Sequence, residues 1–89
     1  MSITLQGDLT NYQVTGLREP LIAQLESAAD VAIDLQAVKK VDIAGVQLLL
    51  ALKKSAELQK KHFQIDNANA NLRDAVRAVG FEKDLFPVG

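Results

Sequence analysis

Apolar and polar residues alternate in three short segments of the chain, and this period of two predicts β-strands. The segments are residues 3–5, 31–35 and 62–66. Gly7 and Asp8 follow the first segment and predict a turn there. The second segment is rich in branched side chains, so we expect it to be the buried central strand and to lie beside the first.

Apolar residues recur at helical spacing in three further segments, residues 17–28, 43–61 and 72–79. Pro20 lacks a backbone N–H, so the first regular helix should begin near Gly16 or Leu17, or kink there. The second segment is the longest predicted helix, and Asp42 is placed to cap its N-terminus. The third helix should stop at Gly80, in the position after a helix end that glycine favours.

The order of strand and helix, repeated three times, predicts an α/β fold in which helices cross between parallel strands. A chain of 89 residues is the size of one small domain, so we expect a single domain over residues 1–89. Phe81, Leu85 and Phe86 form an apolar ending that should fold back onto the core.

Charge and composition exclude several classes of function. Ten Lys and Arg against eleven Asp and Glu give a net charge of -1 without a basic cluster, which argues against nucleic-acid binding. The chain has no cysteine and a single histidine, His62, so it lacks the residues for a zinc cluster. It has neither a secretory leader pattern nor the run of about 20 apolar residues that spans a bilayer. We therefore expect a cytoplasmic protein without direct membrane insertion.

Catalytic motifs are also missing from the sequence. There is no glycine-rich phosphate loop, and no nucleophile stands at a spacing that would recruit His62 as a base. Asp34, Asp42 and Asp66 lie near predicted strand ends, where α/β active sites often occur, but acids there also serve as caps and turns. We expect no enzymatic activity, no cofactor and no metal.

Residues 33–50, IDLQAVKKVDIAGVQLLL, resemble the central motif of STAS domains. In that family an Asp-Leu strand end leads to an Asp-Ser/Thr-Ser/Ala-Gly turn that opens a helix. Asn67, the interval from Arg73 to Gly80 and the ending at residues 85–87 fit the family as well, whereas residues 1–27 are generic. The resemblance implies a STAS fold, with a small mixed or parallel sheet of about four strands and helices packed largely on one face.

The resemblance also implies a function. In anti-sigma factor antagonists of this family, a partner kinase phosphorylates a serine in the turn, and phosphorylation breaks the complex. The turn positions here are Ile43 and Ala44, which cannot accept a phosphoryl group. The resemblance therefore implies a regulatory protein-interaction module without that phosphoswitch, bound to a kinase-like anti-sigma factor or another signalling protein. The alternative is a small STAS subunit bound to the ATPase of a lipid-trafficking ABC transporter, although those relatives usually keep a threonine where Ile43 stands.

The candidate partner-binding residues lie in the turn and on the helix that follows it: Asp42, Ile43, Ala44, Gly45, Val46, Gln47, Leu50 and Lys54. Capping alone explains an aspartate at position 42, and we favour it over partner contact. Gly45 permits close approach of a partner, tight packing of the helix on the sheet, or both.

Leu50 and Leu58 should lie opposite the buried stripe of the long helix. Single surface leucines are common, so they mark a docking site only if they form a patch with Ile43 and Val46. Such a patch would serve a homodimer as well as a complex with another protein.

Overall fold

The computed structural model describes residues 2–85, apart from the side chains of residues 11 and 82. The elements are β1 (Ser2–Leu9), α1 (Asn11–Val14), α2 (Arg18–Glu26), β2 (Asp30–Val41), α3 (Ile43–Leu58), β3 (His62–Asp66), α4 (Ala70–Ala78) and α5 (Glu82–Leu85). The predicted α/β class is confirmed. The part of the predicted apolar ending at Phe86 and Pro87 lies outside the described residues.

The strands form a parallel sheet in the order β1-β2-β3. Residues 2–85 thus contain three strands, and the expectation of about four is wrong for this part of the chain. The reason is visible in the sequence, because only three segments show the period-two alternation of apolar and polar residues that a half-buried strand requires.

Strands β1 and β2 extend well beyond the segments that alternation predicted. Gly7 does not form a turn but continues β1 with a φ of 77°, a conformation that glycine adopts without strain. Lys39 and Lys40 lie within β2. Both side chains are exposed, so these two polar residues interrupt the alternation of apolar and polar positions by which a strand is recognised. Backbone pairing with β1 holds this part of the strand, and such pairing does not require apolar side chains.

Two irregularities in the pairing of β1 with β2 each place one extra residue in β2. They fall between the pairs Thr4↔Asp34 and Gln6↔Ala37, and between the pairs Gly7↔Val38 and Leu9↔Val41. At the first irregularity, the Asp34 carboxylate accepts a hydrogen bond from the backbone N of Gln36 at 2.9 Å. An extra residue reverses the alternation, so Leu35 and Val38 are both buried although they are three positions apart.

The helix ends agree with the local signals. Pro20 is the third residue of α2, within the first turn, where backbone N–H groups have no acceptor inside the helix. The predicted start near Leu17 is therefore confirmed, with Leu17 as the residue before the helix. Gly80 follows the last turn of α4 with a φ of 83°, as predicted. Helix α3 ends earlier than expected, at Leu58, and Lys60 has a φ of 57° just beyond it.

The core lies on one face of the sheet, under the helices. Its buried side chains are Ile3, Leu5, Leu9, Val31, Ile33, Leu35 and Val38 from β1 and β2, and Leu21, Leu25, Val46, Leu48, Leu49, Leu52, Ala56, Leu72, Val76 and Leu85 from the helices. Phe81 packs partly buried against this cluster, so the apolar ending folds back as far as Leu85. The opposite face of the sheet exposes polar residues such as Thr4 and Gln64, which confirms that the helices pack on one face.

The start of α3 lies unusually close to the end of β1. A Cβ atom on Gly45 would lie 2.3 Å from the backbone oxygen of Leu9 and 2.9 Å from its Cβ. It would also lie 3.1 Å from Cγ1 of Val41. No side chain fits in that space, so Gly45 is required for tight packing of α3 on the sheet. None of the helices in residues 2–85 has the length and apolar character needed to cross a membrane.

We predict that Gly45→Ala destabilises the protein by about 1–3 kcal/mol, the usual cost of forcing extra atoms into a packed core. The change in the free energy of unfolding is measured by urea denaturation. Gly16→Ala is the matched control, because its Cβ would meet nothing within 4 Å and the position has no positive φ. Equal stability of Gly45→Ala and the native chain would contradict the close approach of α3 to Leu9.

Candidate functional site

The turn between β2 and α3 is organised by Asp42. Its Oδ1 accepts hydrogen bonds from the backbone N of Ala44 at 2.9 Å and of Gly45 at 3.2 Å. Its own backbone N donates to the oxygen of Leu9 at 3.2 Å. The predicted N-cap is therefore confirmed, and the cap places the next residues of the turn on the surface.

Ile43 and Ala44 follow the cap at the first turn of α3. Ile43 is 52% exposed, although it is a large apolar residue. Ala44 is half-buried. Neither side chain carries a hydroxyl group, so the turn presents methyl and methylene groups where a phosphoacceptor would need an oxygen.

Two of the predicted partner-binding residues are in the core instead. Val46 has no exposed surface, and Gly45 is buried against Leu9. Neither residue is exposed to a partner in this structure, because α3 packs against the sheet and also against α2, α4 and α5, and for Gly45 the structure shows the tight packing that was one of the two readings. These neighbours cover the flanks of α3, so its buried stripe is wider than helical spacing alone indicated.

Four of the remaining candidates, Ile43, Gln47, Leu50 and Lys54, share the outer face of α3 with Leu58. We call these five residues the α3 stripe. Residues spaced by three and four positions share one face of a helix. Leu58 is 76% exposed, as predicted, whereas Leu50 is half-buried against the edge of the core. The stripe therefore forms a surface without Val46.

A groove of about 290 Å³ runs along one side of the α3 stripe, and we call it the Arg18 groove. It is lined by Val14, Thr15, Arg18, Ala44, Gln47 and Leu48. Arg18 is exposed and is the only charged residue among the described residues of this lining. The sequence did not reveal this residue as part of the site, because nothing in it indicated that the start of α2 lies beside the start of α3.

A second groove, of about 280 Å³, lies on the other side of the stripe, between α3 and α5. Its lining is Leu50, Lys53, Lys54, Glu57 and Asp84. Lys53 donates to the backbone oxygen of Asp84 and lies 3.8 Å from Oε1 of Glu57. This groove is thus a balanced set of charges that joins α5 to α3, unlike the Arg18 groove.

Two residues outside α3 that the sequence singled out, Asp34 and His62, make hydrogen-bond contacts within the sheet region. Asp34 accepts from the backbone N of Gln36 at 2.9 Å and from Nδ2 of Asn67 at 3.3 Å. His62 is exposed, and its Nε2 lies 3.2 Å from Oε1 of Gln64. Within residues 2–85, no three His, Cys, Asp or Glu side chains come together in a group able to hold a metal ion.

Comparison with known proteins gives a match to a family model described as "Mlab, STAS domain" over residues 1–87. No curated protein matches the chain. The matched range includes the whole sheet, the Asp42 turn and the α3 stripe. All residues of the candidate site therefore lie within the part of the chain that matches the family.

We predict that Asp42→Ala lowers the free energy of unfolding by about 0.5–2 kcal/mol, the usual effect of losing a helix N-cap. Hydrogen exchange at the amides of Ala44 and Gly45 should accelerate most, because these two N–H groups lose their acceptor. Asp42→Asn retains a side-chain oxygen and should lose clearly less stability. If Asp42→Ala were as stable as the native chain, the cap would not contribute to folding.

Proposed function

Because the chain belongs to the STAS domain family, we propose that it is a non-catalytic regulatory module that binds another protein through the Asp42 turn and the α3 stripe. It resembles the anti-sigma factor antagonists and the STAS proteins of bacterial signalling and chemotaxis systems. The proposed partner is a kinase-like anti-sigma factor or another signalling protein in the cytoplasm.

The main support for this proposal is the exposure of large apolar side chains on one helix. Three large hydrophobic residues among those described are exposed: Tyr12, Ile43 and Leu58. Two of them belong to the α3 stripe, and Leu50 adds a half-buried apolar side chain between them. Gln47 and Lys54 lie between these apolar side chains, so the stripe offers a partner several separate apolar contacts along one helix face rather than one continuous patch.

Regulation at the turn should differ from that of the phosphorylated relatives. Ile43 and Ala44 offer no oxygen for phosphoryl transfer, so the turn stays uncharged at these two positions. Ala44 also lines the Arg18 groove, which places this position at the edge of the proposed contact. We therefore propose constitutive binding at this turn, without a phosphoswitch.

We predict that the intact protein captures a kinase-like regulator or signalling protein from native cell extract, identified by mass spectrometry, and that Ala44→Asp loses it. The new carboxylate brings charge into a contact from which water is excluded. It stands in the first turn of α3, where a negative charge is compatible with folding.

Ala44→Asn is the matched control, because it has nearly the same size without the charge, and it should retain the partner better than Ala44→Asp. Capture of an ABC ATPase with its membrane subunit would support the transporter alternative. Equal capture by all three proteins would place the contact on a different surface.

A further inference from the structure

The α3 stripe has the spacing of a surface that packs along another helix. Its residues are separated by four, three, four and four positions, close to the period at which two helices meet side by side. Three of its five residues are apolar. Helix α3 has 16 residues and is therefore about 24 Å long, enough to contact four turns of a partner helix.

The charges beside the stripe are unequal. Lys53 and Glu57 lie close enough to form an ion pair, so they contribute little net charge. Arg18 and Lys54 form no ion pair with another residue of the described chain. The stripe therefore offers a partner three apolar side chains, with the positive charge of Arg18 in the groove on one side and, on the other side, a groove in which two basic residues are balanced by two acidic ones.

A second copy of the chain would fit this surface poorly. In a parallel arrangement of two stripes about a two-fold axis, Lys54 meets Lys54 of the other copy. In an antiparallel arrangement centred on residues 50 and 51, Lys54 meets Gln47, which lines the same groove as Arg18. The parallel arrangement brings like charges together as water is excluded, and neither arrangement supplies a carboxylate from the stripe to Lys54 or Arg18, because the stripe contains no Asp or Glu.

We infer that the α3 stripe binds an amphipathic helix of the partner, and that this helix directs an Asp or Glu side chain into the Arg18 groove. The inference rests on the proposed function, because it names the partner chemistry for the same surface. The apolar ridge of the partner packs on Ile43, Leu50 and Leu58, and the carboxylate meets the guanidinium group of Arg18. Arg18 then determines which helices are accepted.

Three synthetic helical peptides of equal length test the inference with the intact protein. All three carry the same leucine ridge at alternating three- and four-residue spacing, and the residues flanking the ridge are Glu, Gln or Lys. Fluorescence anisotropy measures the dissociation constants. We expect the Glu peptide to bind at least about fivefold more tightly than the Gln peptide, and the Lys peptide to bind most weakly. Added salt should reduce the difference.

Single substitutions separate the charge from the apolar contact. Arg18→Glu should reverse the order of the Glu and Lys peptides. Leu58→Asp should weaken all three by about tenfold or more without changing their order. Arg77→Glu makes the same charge change on α4, where Arg77 is exposed beside Asp74, and should leave the order unchanged. Thermal unfolding of each variant verifies that these exposed positions leave the fold intact.

Chemical-shift changes of the ¹⁵N-labelled protein locate the bound peptide. We expect them on the α3 stripe and at Arg18. The inference is overturned if no peptide binds, if the Glu and Lys peptides bind equally, or if the shifts fall on the polar face of the sheet. A concentration-dependent dimer that Leu58→Asp dissociates would also overturn it, because a second copy would then occupy the stripe.

The peptide-binding test of the inference can fail or succeed independently of the pull-down test of the proposed function. If the extract yields a signalling partner that Ala44→Asp loses, while the peptides show no charge preference, the proposed function stands and the inference fails. If the peptides follow the expected order but the extract yields no such partner, the chemistry of the surface stands and the regulatory function fails.

Discussion

The backbone oxygen of Leu9 is the point on which the candidate site depends. It accepts the hydrogen bond from the N of Asp42 at 3.2 Å, and it occupies the space that a side chain at position 45 would need. The end of β1, the end of β2 and the start of α3 therefore meet at one atom. This contact places the carboxylate of Asp42 where it can cap α3, and it determines how deeply the helix enters the core. The cap and the depth of α3 in the core together direct the side chain of Ile43 outward.

Helix α3 contributes residues to the core and to the candidate site, and these two sets of residues lie on opposite faces of the helix. Val46, Leu49 and Leu52 have no exposed surface, whereas Ile43 and Leu58 are more than half exposed. Substitutions on the outer face can therefore change binding with little effect on stability. The Arg18 groove extends the candidate site beyond α3, because the segment that contains α1 and the start of α2 also lines it.

Local signals in the sequence predicted the parts of the fold that depend on neighbouring residues. The cap at Asp42, the position of Pro20 and the helix end at Gly80 depend on a few adjacent backbone groups. The full length of β2 was not predictable, because the residues on either side of Lys39 and Lys40, Val38 and Val41, are held by pairing with a strand about thirty positions earlier. The burial of Val46 and the position of Arg18 beside α3 likewise depend on contacts between segments that are distant in the sequence. The local periodicity of apolar residues does not report such contacts.

The all-parallel pairing of the strands has a consequence for how the chain folds. Ser2 pairs with Ala32 and Asp30 pairs with His62, so partners lie 30 and 32 positions apart. Neither strand pair is a hairpin, and each requires the closure of a long loop before any ladder hydrogen bond forms, which slows folding relative to a helical bundle of equal size. During synthesis, β1 has no partner until β2 has left the ribosome. Residues 2–29 alone therefore contain no strand pair, and helix α3 can form before β3 completes the sheet.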